Sequence, residues 1–202
     1  MNLVQVKFSE RQYLKEEYPK KQIYLHHTAG GPDGVQVFRF WESSPDRIAT
    51  CVVIEPSGRI LQGFSSKYWA YHLGVKGAAI PLDKISIGIE LCNWGQLTLK
   101  DSKFYSYTNR EIPESQVQEL DVPFKGHKYF HNYTDAQIEA TKDLLLLWNN
   151  KYGIPLDYNE DIWGLTQRAL NGGVGVFTHN SVRADKVDVY PHPKLVQMLK
   201  TL

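Results

Sequence analysis

The stretch KISIGIELCNWG, residues 84–95, has the alternating pattern of a β-strand with one buried face. Isoleucine occupies positions 85, 87 and 89, and these side chains share one face because successive side chains of a strand point in opposite directions. The opposite face carries small residues until it reaches the carboxylate of Glu90. The stretch therefore predicts a strand with an apolar face toward the core and a carboxylate near its end.

Further strand patterns precede and follow this one. Residues 21–31, KQIYLHHTAGG, combine β-branched and aromatic residues with a glycine-rich turn. Residues 48–64 predict a hairpin, because two apolar runs flank the turn Pro56-Ser57-Gly58. Residues 174–178, VGVFT, form a short strand pattern that leads directly to His179.

The clearest helix pattern covers residues 134–152. Thr134 and Gln137 have the spacing of a capping box, apolar residues recur at helical spacing, and Gly153 follows as a stop signal. Shorter helices are predicted over residues 34–42, 161–170 and 193–202. Strands mixed with helices predict an α/β fold, with a single mixed central β-sheet flanked by helices.

The length and composition suit one domain. The chain has 202 residues and 42% hydrophobic content, enough for one substantial core. We expect residues 1–22 to form an N-terminal arm and residues 23–202 to form the domain. Residues 96–132 are polar and aromatic and predict a long excursion from the core, with a small hairpin in KFYSYT, residues 103–108.

Charge and hydropathy exclude several classes of function. The net charge is +1 and no basic block is present, which argues against nucleic acid as a partner. No apolar run reaches the length of about 18 residues that crosses a membrane, so we expect no membrane insertion. The N-terminus lacks the apolar core of a signal peptide, which predicts synthesis in the cytoplasm. Cys51 and Cys92 lie in apolar runs and are expected to be buried free thiols.

The polar stretch THNSVRADKVD, residues 178–188, combines donor groups that suit a metal site. A catalytic zinc takes three protein ligands and leaves one position for water, and His26, His179 and Asp188 meet that requirement. Two neutral imidazoles and one anion leave a positive charge that acidifies bound water. Lys186 lies two positions before Asp188, so in extended backbone the two side chains point the same way, about 6 to 7 Å apart. The spacing alone leaves open a solvated loop with incidental charges.

Five motifs, in order, closely resemble those of the zinc-dependent N-acetylmuramoyl-L-alanine amidases: IYLHHTAG, WAYHLG, KISIGIELCNWG, YTDAQI and THNSVRADKVDVYPHP. That superfamily also contains peptidoglycan recognition proteins and phage endolysins. The resemblance extends over residues 20–195 and implies the amidase fold, a Zn²⁺ cofactor and bacterial peptidoglycan as the partner.

The resemblance also implies roles for individual residues. The zinc ligands match His26, His179 and Asp188, the acidic residue of the SIGIE strand matches Glu90, and the catalytic lysine matches Lys186. His27 is then expected to face the opposite side of its strand and to pack there.

A second set of residues is expected to contact the substrate. The family's AWHAG motif is AYHLG here, so that Tyr71 and Leu73 replace Trp and Ala while His72 is kept. We expect His72, Tyr71 and Trp94 to line the groove. Arg183 is expected either to grip a stem-peptide carboxylate through a two-pronged hydrogen bond or to brace its own loop.

The implied reaction is hydrolysis of the amide between N-acetylmuramic acid and L-alanine in peptidoglycan, with cell-wall lysis as the outcome. Two alternatives remain: a metal-free peptidoglycan-binding module, and a zinc hydrolase of another substrate class, such as a muropeptide-recycling amidase. We expect a monomer without an appended wall-binding domain, either an endolysin released by a holin or a cytoplasmic enzyme. The remaining histidines, His127, His131 and His192, are expected to be structural or, for His192, a solvated helix cap.

Overall fold

Strand β2 (Gln22–His27) is an interior strand of the main sheet, next to its edge strand, and every residue in it is buried. The computed structural model of the protein describes residues 2–75 and 81–202. In it, β2 pairs in parallel with β5 (Ser86–Leu91) on one side and with β11 (Gly175–Thr178) on the other. A strand covered on both faces is typical of a parallel sheet with helices on each side.

Three further strands complete this sheet. The strands β3 (Val52–Ile54) and β4 (Ile60–Gln62) form the predicted antiparallel hairpin, and β3 also pairs in parallel with β5. Strand β1 (Leu3–Gln5) pairs in parallel with β4. The order β1-β4-β3-β5-β2-β11 is a mixed central sheet, which confirms the predicted α/β class.

Within residues 2–75 and 81–202, five α-helices accompany the strands, together with four short 3-10 helices. The α-helices are α1 (Gly34–Glu42), α2 (Leu82–Ile85), α3 (Asp135–Tyr152), α4 (Gln167–Leu170) and α5 (Pro193–Lys200). The 3-10 helices are Glu10–Gln12, Glu114–Gln116, Glu160–Trp163 and His179–Ser181. No helix in the described ranges is both long and apolar enough to cross a membrane.

Helix α3 covers one face of the sheet and begins as the sequence predicts. Thr134 and Gln137 form the capping box, and Gly153 ends the helix in the left-handed conformation. The Gln137 side chain donates to the carbonyl oxygens of Ile54 and Cys92, at 3.2 and 3.0 Å, so the helix is bonded to two neighbouring strand ends. This contact fixes the helix against the sheet at the edge where β3 and β5 end.

The predicted helix over residues 161–170 is interrupted. A 3-10 helix ends at Trp163, Gly164 adopts extended backbone, and α4 begins only after the cap Thr166. The Asp161 carboxylate accepts from the Thr166 hydroxyl and from the Arg168 guanidinium, which holds the interruption in place. A side-chain network across the break therefore replaces one continuous helix.

Residues 96–132 differ most from the expectation. They form a second, antiparallel sheet of five strands in the order β8-β7-β6-β10-β9, rather than an excursion with one hairpin. Its strands are β6 (Gln96–Lys100), β7 (Lys103–Tyr105), β8 (Glu111–Ile112), β9 (Val117–Phe124) and β10 (His127–His131). In KFYSYT only the first three residues are strand. Tight turns with positive φ, at Asp101-Ser102 and Lys125-Gly126, connect these strands. The exposed faces of the strands are polar, which conceals the alternation of apolar and polar residues in the sequence.

The N-terminal residues lie against the central sheet. Strand β1 extends its edge, and Phe8 is buried among the rings of Phe38, Trp41 and Phe64. The segment predicted as an arm is thus packed into the core. Cys51 and Cys92 are both buried and not bonded to each other.

Replacing Thr134 by alanine tests how strongly α3 is tied to the hairpin. The Thr134 hydroxyl accepts from the Gln137 amide at 3.1 Å and donates to the Pro56 carbonyl at 2.6 Å. Loss of such a cap costs about 1 to 2 kcal/mol. We expect Thr134→Ala to lower the free energy of unfolding in urea by that amount. Thr134→Ser keeps the hydroxyl and should unfold like the wild type; equal losses in both variants would contradict the capping role.

Candidate metal and catalytic site

The carboxyl ends of three parallel strands meet at one edge of the central sheet. His26 is in register with Glu90 across the β2–β5 pair, so their side chains leave the same face. Strand β11 ends at Thr178, and His179 follows as the first residue of a 3-10 helix. Functional groups at strand ends are held rigidly while the loops leave space above them.

The structure brings His26, His179 and Asp188 together. The Nδ1 atoms of the two imidazoles are 3.1 Å apart. Oδ2 of Asp188 lies 3.1 Å from His179 Nδ1 and 3.3 Å from His26 Nδ1. All three residues are buried, and within the described residues they are the one group of His, Cys, Asp or Glu side chains spaced to hold a metal ion. Two nitrogens and one oxygen within 4.8 Å of one another fit the donor set of a catalytic zinc.

The protonation states also suit a cation. Burial and the neighbouring His179 lower the pKa of His26 to about 4, so this imidazole is neutral at pH 7. Burial by itself raises the pKa of Asp188, but hydrogen bonds from His179 and His26 outweigh it and hold that pKa well below the usual value. At His26 and Asp188 the site therefore presents a neutral imidazole and an anionic carboxylate, the forms in which these groups bind metals.

The second nitrogen of each imidazole is also bonded. Nε2 of His179 lies 3.0 Å from the Leu73 carbonyl oxygen, which only accepts, so this nitrogen donates and Nδ1 is the atom turned toward the donor set. Nε2 of His26 lies 3.0 Å from Nδ1 of His72. Outer contacts of this kind orient metal-binding histidines. His72, which was predicted to line the groove, lies in the cleft with the candidate ligands and contacts one of them, His26.

Glu90 and Lys186 line the same cavity as the three candidate ligands, a cleft of about 420 Å³. Burial raises the pKa of Glu90 well above its ordinary value, the negative charge of Asp188 adds to the rise, and Lys186 partly opposes it. The arrangement thus places a carboxyl group that can hold a proton and a lysine beside the donor set.

The predicted substrate residues other than His72 lie elsewhere. Tyr71 packs edge-on against Trp69 and does not line this cleft. Trp94 lines a separate cavity of about 510 Å³, with Arg110 above its ring. The guanidinium of Arg183 is bonded to both carboxylate oxygens of Asp185, at 3.0 and 2.6 Å. This contact matches the second of the two expectations for Arg183, that it stabilises its own loop.

Two further histidines, His27 and His192, are buried and contact polar side chains. His27 is buried and lies 3.3 Å from the Tyr133 hydroxyl. The expectation of a solvated cap at His192 is wrong: this side chain is 2% exposed, and its Nε2 lies 2.6 Å from Oδ1 of Asn132. The flanking prolines suggested an exposed turn, but the ring packs against Tyr133 and Tyr190.

The second sheet supports the loop that carries Lys186 and Asp188. The Lys125 ammonium donates to the carbonyl oxygens of Ala184 and Lys186, at 3.2 and 2.5 Å. The Tyr190 ring stacks on Phe130 at 4.2 Å, and its hydroxyl donates to the carbonyl of His131. The contacts of Lys125 and Tyr190 could not be predicted from the sequence, because an isolated lysine in a turn gives no signal of a distant carbonyl partner.

The α/β fold, with a buried donor set at the strand ends and a carboxyl group and a lysine beside it, defines the class as a hydrolase with a candidate metal site. The family model described as N-acetylmuramoyl-L-alanine amidase, Amidase_2, matches residues 16–193, and the chain belongs to this family. Comparison with curated proteins gave no match.

Solved structures share the fold at low sequence identity. PlyL is 15% identical with a TM-score of 0.58, over 100% of this chain and 96% of that one. The catalytic domain of XlyA is 14% identical with a TM-score of 0.58, over 100% and 98%. AmiD from E. coli, solved with anhydro-N-acetylmuramic acid-L-Ala-D-gamma-Glu-L-Lys, is 21% identical with a TM-score of 0.54, over 94% and 61%.

Removing the ammonium of Lys125 tests whether the second sheet holds this loop. We expect Lys125→Met to speed amide hydrogen exchange in residues 184–188 about tenfold, the loss corresponding to one net hydrogen bond to a charged group. Lys128→Met, on the same hairpin, removes an ammonium that pairs with Glu119 instead, and should leave exchange in the loop unchanged. Equal exchange in both variants would show that the Lys125 contact does not restrain the loop.

Proposed function

We propose that this member of the amidase family is zinc-dependent and hydrolyses the amide bond between N-acetylmuramic acid and L-alanine in bacterial peptidoglycan. The observation that carries the proposal is the convergence of His26, His179 and Asp188 in a cleft that Glu90 and Lys186 also line. Cell-wall lysis is the process that such cleavage serves, because it separates stem peptides from the glycan.

The three donor atoms would hold the metal. His26 Nδ1, His179 Nδ1 and Asp188 Oδ2 supply two neutral ligands and one anion, which leaves a net charge of +1 on a divalent cation. Zinc held by these three residues would polarise a carbonyl and would lower the pKa of a bound water to about 7. The buried position of all three residues keeps competing bulk water from the donor atoms.

Glu90 is the proposed general base. It leaves the sheet on the same face as His26, its register partner. Its carboxylate would accept a proton from the attacking water and pass that proton to the nitrogen of the leaving amine. A pKa raised by burial suits both halves of this transfer, because the carboxyl group then holds the proton until the amine takes it.

Lys186 is the proposed charge stabiliser. It lines the cleft beside Asp188, and no ion pair fixes its ammonium elsewhere among the described residues. Negative charge develops on the carbonyl oxygen when water attacks, and a cation at the cleft wall lowers the energy of that charge. Positioned donors of this kind contribute about 10²- to 10³-fold to the rate.

Substrate contacts are proposed for His72 in the cleft and, further away, for Tyr71, Trp94 and Arg183. AmiD was solved with a muramyl tripeptide, and a substrate of similar chemistry would extend beyond the cleft toward such residues. We propose a monomer that acts on the wall without membrane insertion. The alternatives of a binding module and of muropeptide recycling are separated by the following measurement.

Removal of the metal tests whether cleavage depends on zinc. Purified peptidoglycan should be cleared by the wild-type protein, clearing should stop after complete chelation, and added zinc should restore it. His179→Ala should lose bound zinc and clearing together, whereas His127→Ala, on the second sheet, should keep both. Persistent clearing without metal would contradict the zinc proposal. Binding to the wall without any cleavage would favour the module, and cleavage of soluble muropeptides alone would favour recycling.

A change at Glu90 distinguishes the role of a general base from that of a metal ligand. Glu90→Gln keeps the shape of the side chain but cannot take a proton. We expect it to bind zinc like the wild type while turnover falls about 10²- to 10⁴-fold. Glu139→Gln, an exposed position on α3, is the matched control. Near-normal turnover in Glu90→Gln would mean that another group accepts the proton.

A further inference from the structure

We propose that Asp83 is a positioning residue that orients both candidate metal-binding imidazoles through one two-residue segment, His72-Leu73. The proposal rests on the metal site described above and assigns a role to a carboxylate outside it. Asp83 does not touch the three donor atoms. It acts on the imidazoles through the backbone of residues 72 and 73. The segment it holds supplies the outer hydrogen-bond partner of His26 and that of His179.

The anchor is a pair of hydrogen bonds to consecutive amides. Oδ1 of Asp83 accepts from the backbone N–H groups of His72 and Leu73, at 2.8 and 3.0 Å. The Asp83 side chain is 13% exposed and the His72 side chain 5% exposed, while Leu73 is fully buried. Buried N–H groups need a partner, and one carboxylate oxygen satisfies two of them here.

One branch leads from this anchor to His179. The Leu73 carbonyl accepts from Nε2 of His179 at 3.0 Å. Because a carbonyl has no proton to give, this contact selects the tautomer with the proton on Nε2. Nδ1 of His179 then faces the other two donor atoms. Any shift of the 72–73 backbone moves this carbonyl and relaxes that selection.

The other branch leads to His26. Nε2 of His26 lies 3.0 Å from Nδ1 of His72, and Nε2 of His72 lies 2.8 Å from Oγ of Ser86. If Nδ1 of His26 is to bind a cation, its proton would have to be on Nε2, where it would donate to His72. The proton of His72 is then on its own Nε2 and points to Ser86. The hydroxyl therefore ends a directed series of hydrogen bonds.

The order of these contacts explains why one residue affects both ligands. His26 and His179 come from different strands, but their outer partners are adjacent in the chain, at positions 72 and 73. Asp83 binds the amides of both positions with a single oxygen atom. Its loss should therefore disturb two imidazoles at once, whereas loss of Ser86 should disturb only the branch through His72.

The experiment measures zinc affinity and imidazole tautomers in the full-length protein. Zinc dissociation constants come from competition with a chelating dye, and ¹⁵N chemical shifts of the imidazoles in the metal-free protein report which nitrogen is protonated. Asp83→Ala should weaken zinc binding about 10- to 100-fold, the usual effect of removing outer partners of metal ligands. It should also move the shifts of both His26 and His179 toward those of mixed tautomers.

Two further variants and a control make the outcome specific. Asp83→Asn retains an oxygen that accepts from both amides and should restore most of the affinity. Ser86→Ala should change the shifts of His26 and His72 and leave those of His179 in place. Asp33→Ala is the matched control, because Asp33 also accepts two amides, those of Val35 and Gln36, at the start of α1; it should leave zinc affinity unchanged.

The proposal is overturned if Asp83→Ala folds and keeps wild-type affinity and imidazole shifts, or if Asp83→Asn is as impaired as Asp83→Ala. If Asp83→Ala does not fold, Ser86→Ala decides: unchanged shifts of His26 and His72 overturn the proposal. These tautomer measurements need no metal. A wild type that binds no zinc but shows the expected shifts would therefore refute the proposed function while supporting the role of Asp83.

Discussion

The interaction on which the site depends is the contact of one buried carboxylate with two imidazoles. Asp188 lies within 3.3 Å of Nδ1 of both His26 and His179. Burial alone would favour the neutral acid, and a protonated carboxyl group would lose much of its value as a metal ligand. The hydrogen bonds reverse that preference, so the carboxylate stays anionic in a place where water cannot stabilise it. A cation placed there would meet a donor set that is already converged, and little conformational entropy would be lost on binding.

The rigidity of this donor set comes from elements that carry no catalytic group. The parallel pairing of β2 with β5 and β11 brings His26, Glu90 and the start of the His179 turn to one edge. The second sheet then holds the following loop through Lys125 and Tyr190. Side chains at strand ends are held in precise positions, whereas those in loops are not. Asp188 is the candidate ligand that comes from a loop, so it needs additional support from the second sheet.

Much of the site was accessible from the sequence because its members are chemically conspicuous. The two histidines, Asp188 and Glu90 stand at the ends of strand patterns or in a polar stretch after one, and parallel strand ends must meet. The supports were not accessible in this way. Leu73 acts through its carbonyl, Lys125 through carbonyls about 60 positions away, and backbone groups have no side-chain signature. The second sheet was missed for a related reason: its strands expose one polar face and are joined by turns that common residues form.

The sequence by itself determined the α/β class, the capped helix α3 and the β3–β4 hairpin, since these follow from local periodicity. The candidate ligand set was implied by the resemblance to the amidase family, because spacing alone left a solvated loop open. Only the tertiary structure decided which nitrogen of each imidazole faces the site, that His192 is buried, that Arg183 bonds to Asp185, and that Tyr71 and Trp94 lie away from the cleft. Those features depend on distances between segments far apart in the chain. Such distances are set by packing of the whole core, so no single stretch of residues encodes them.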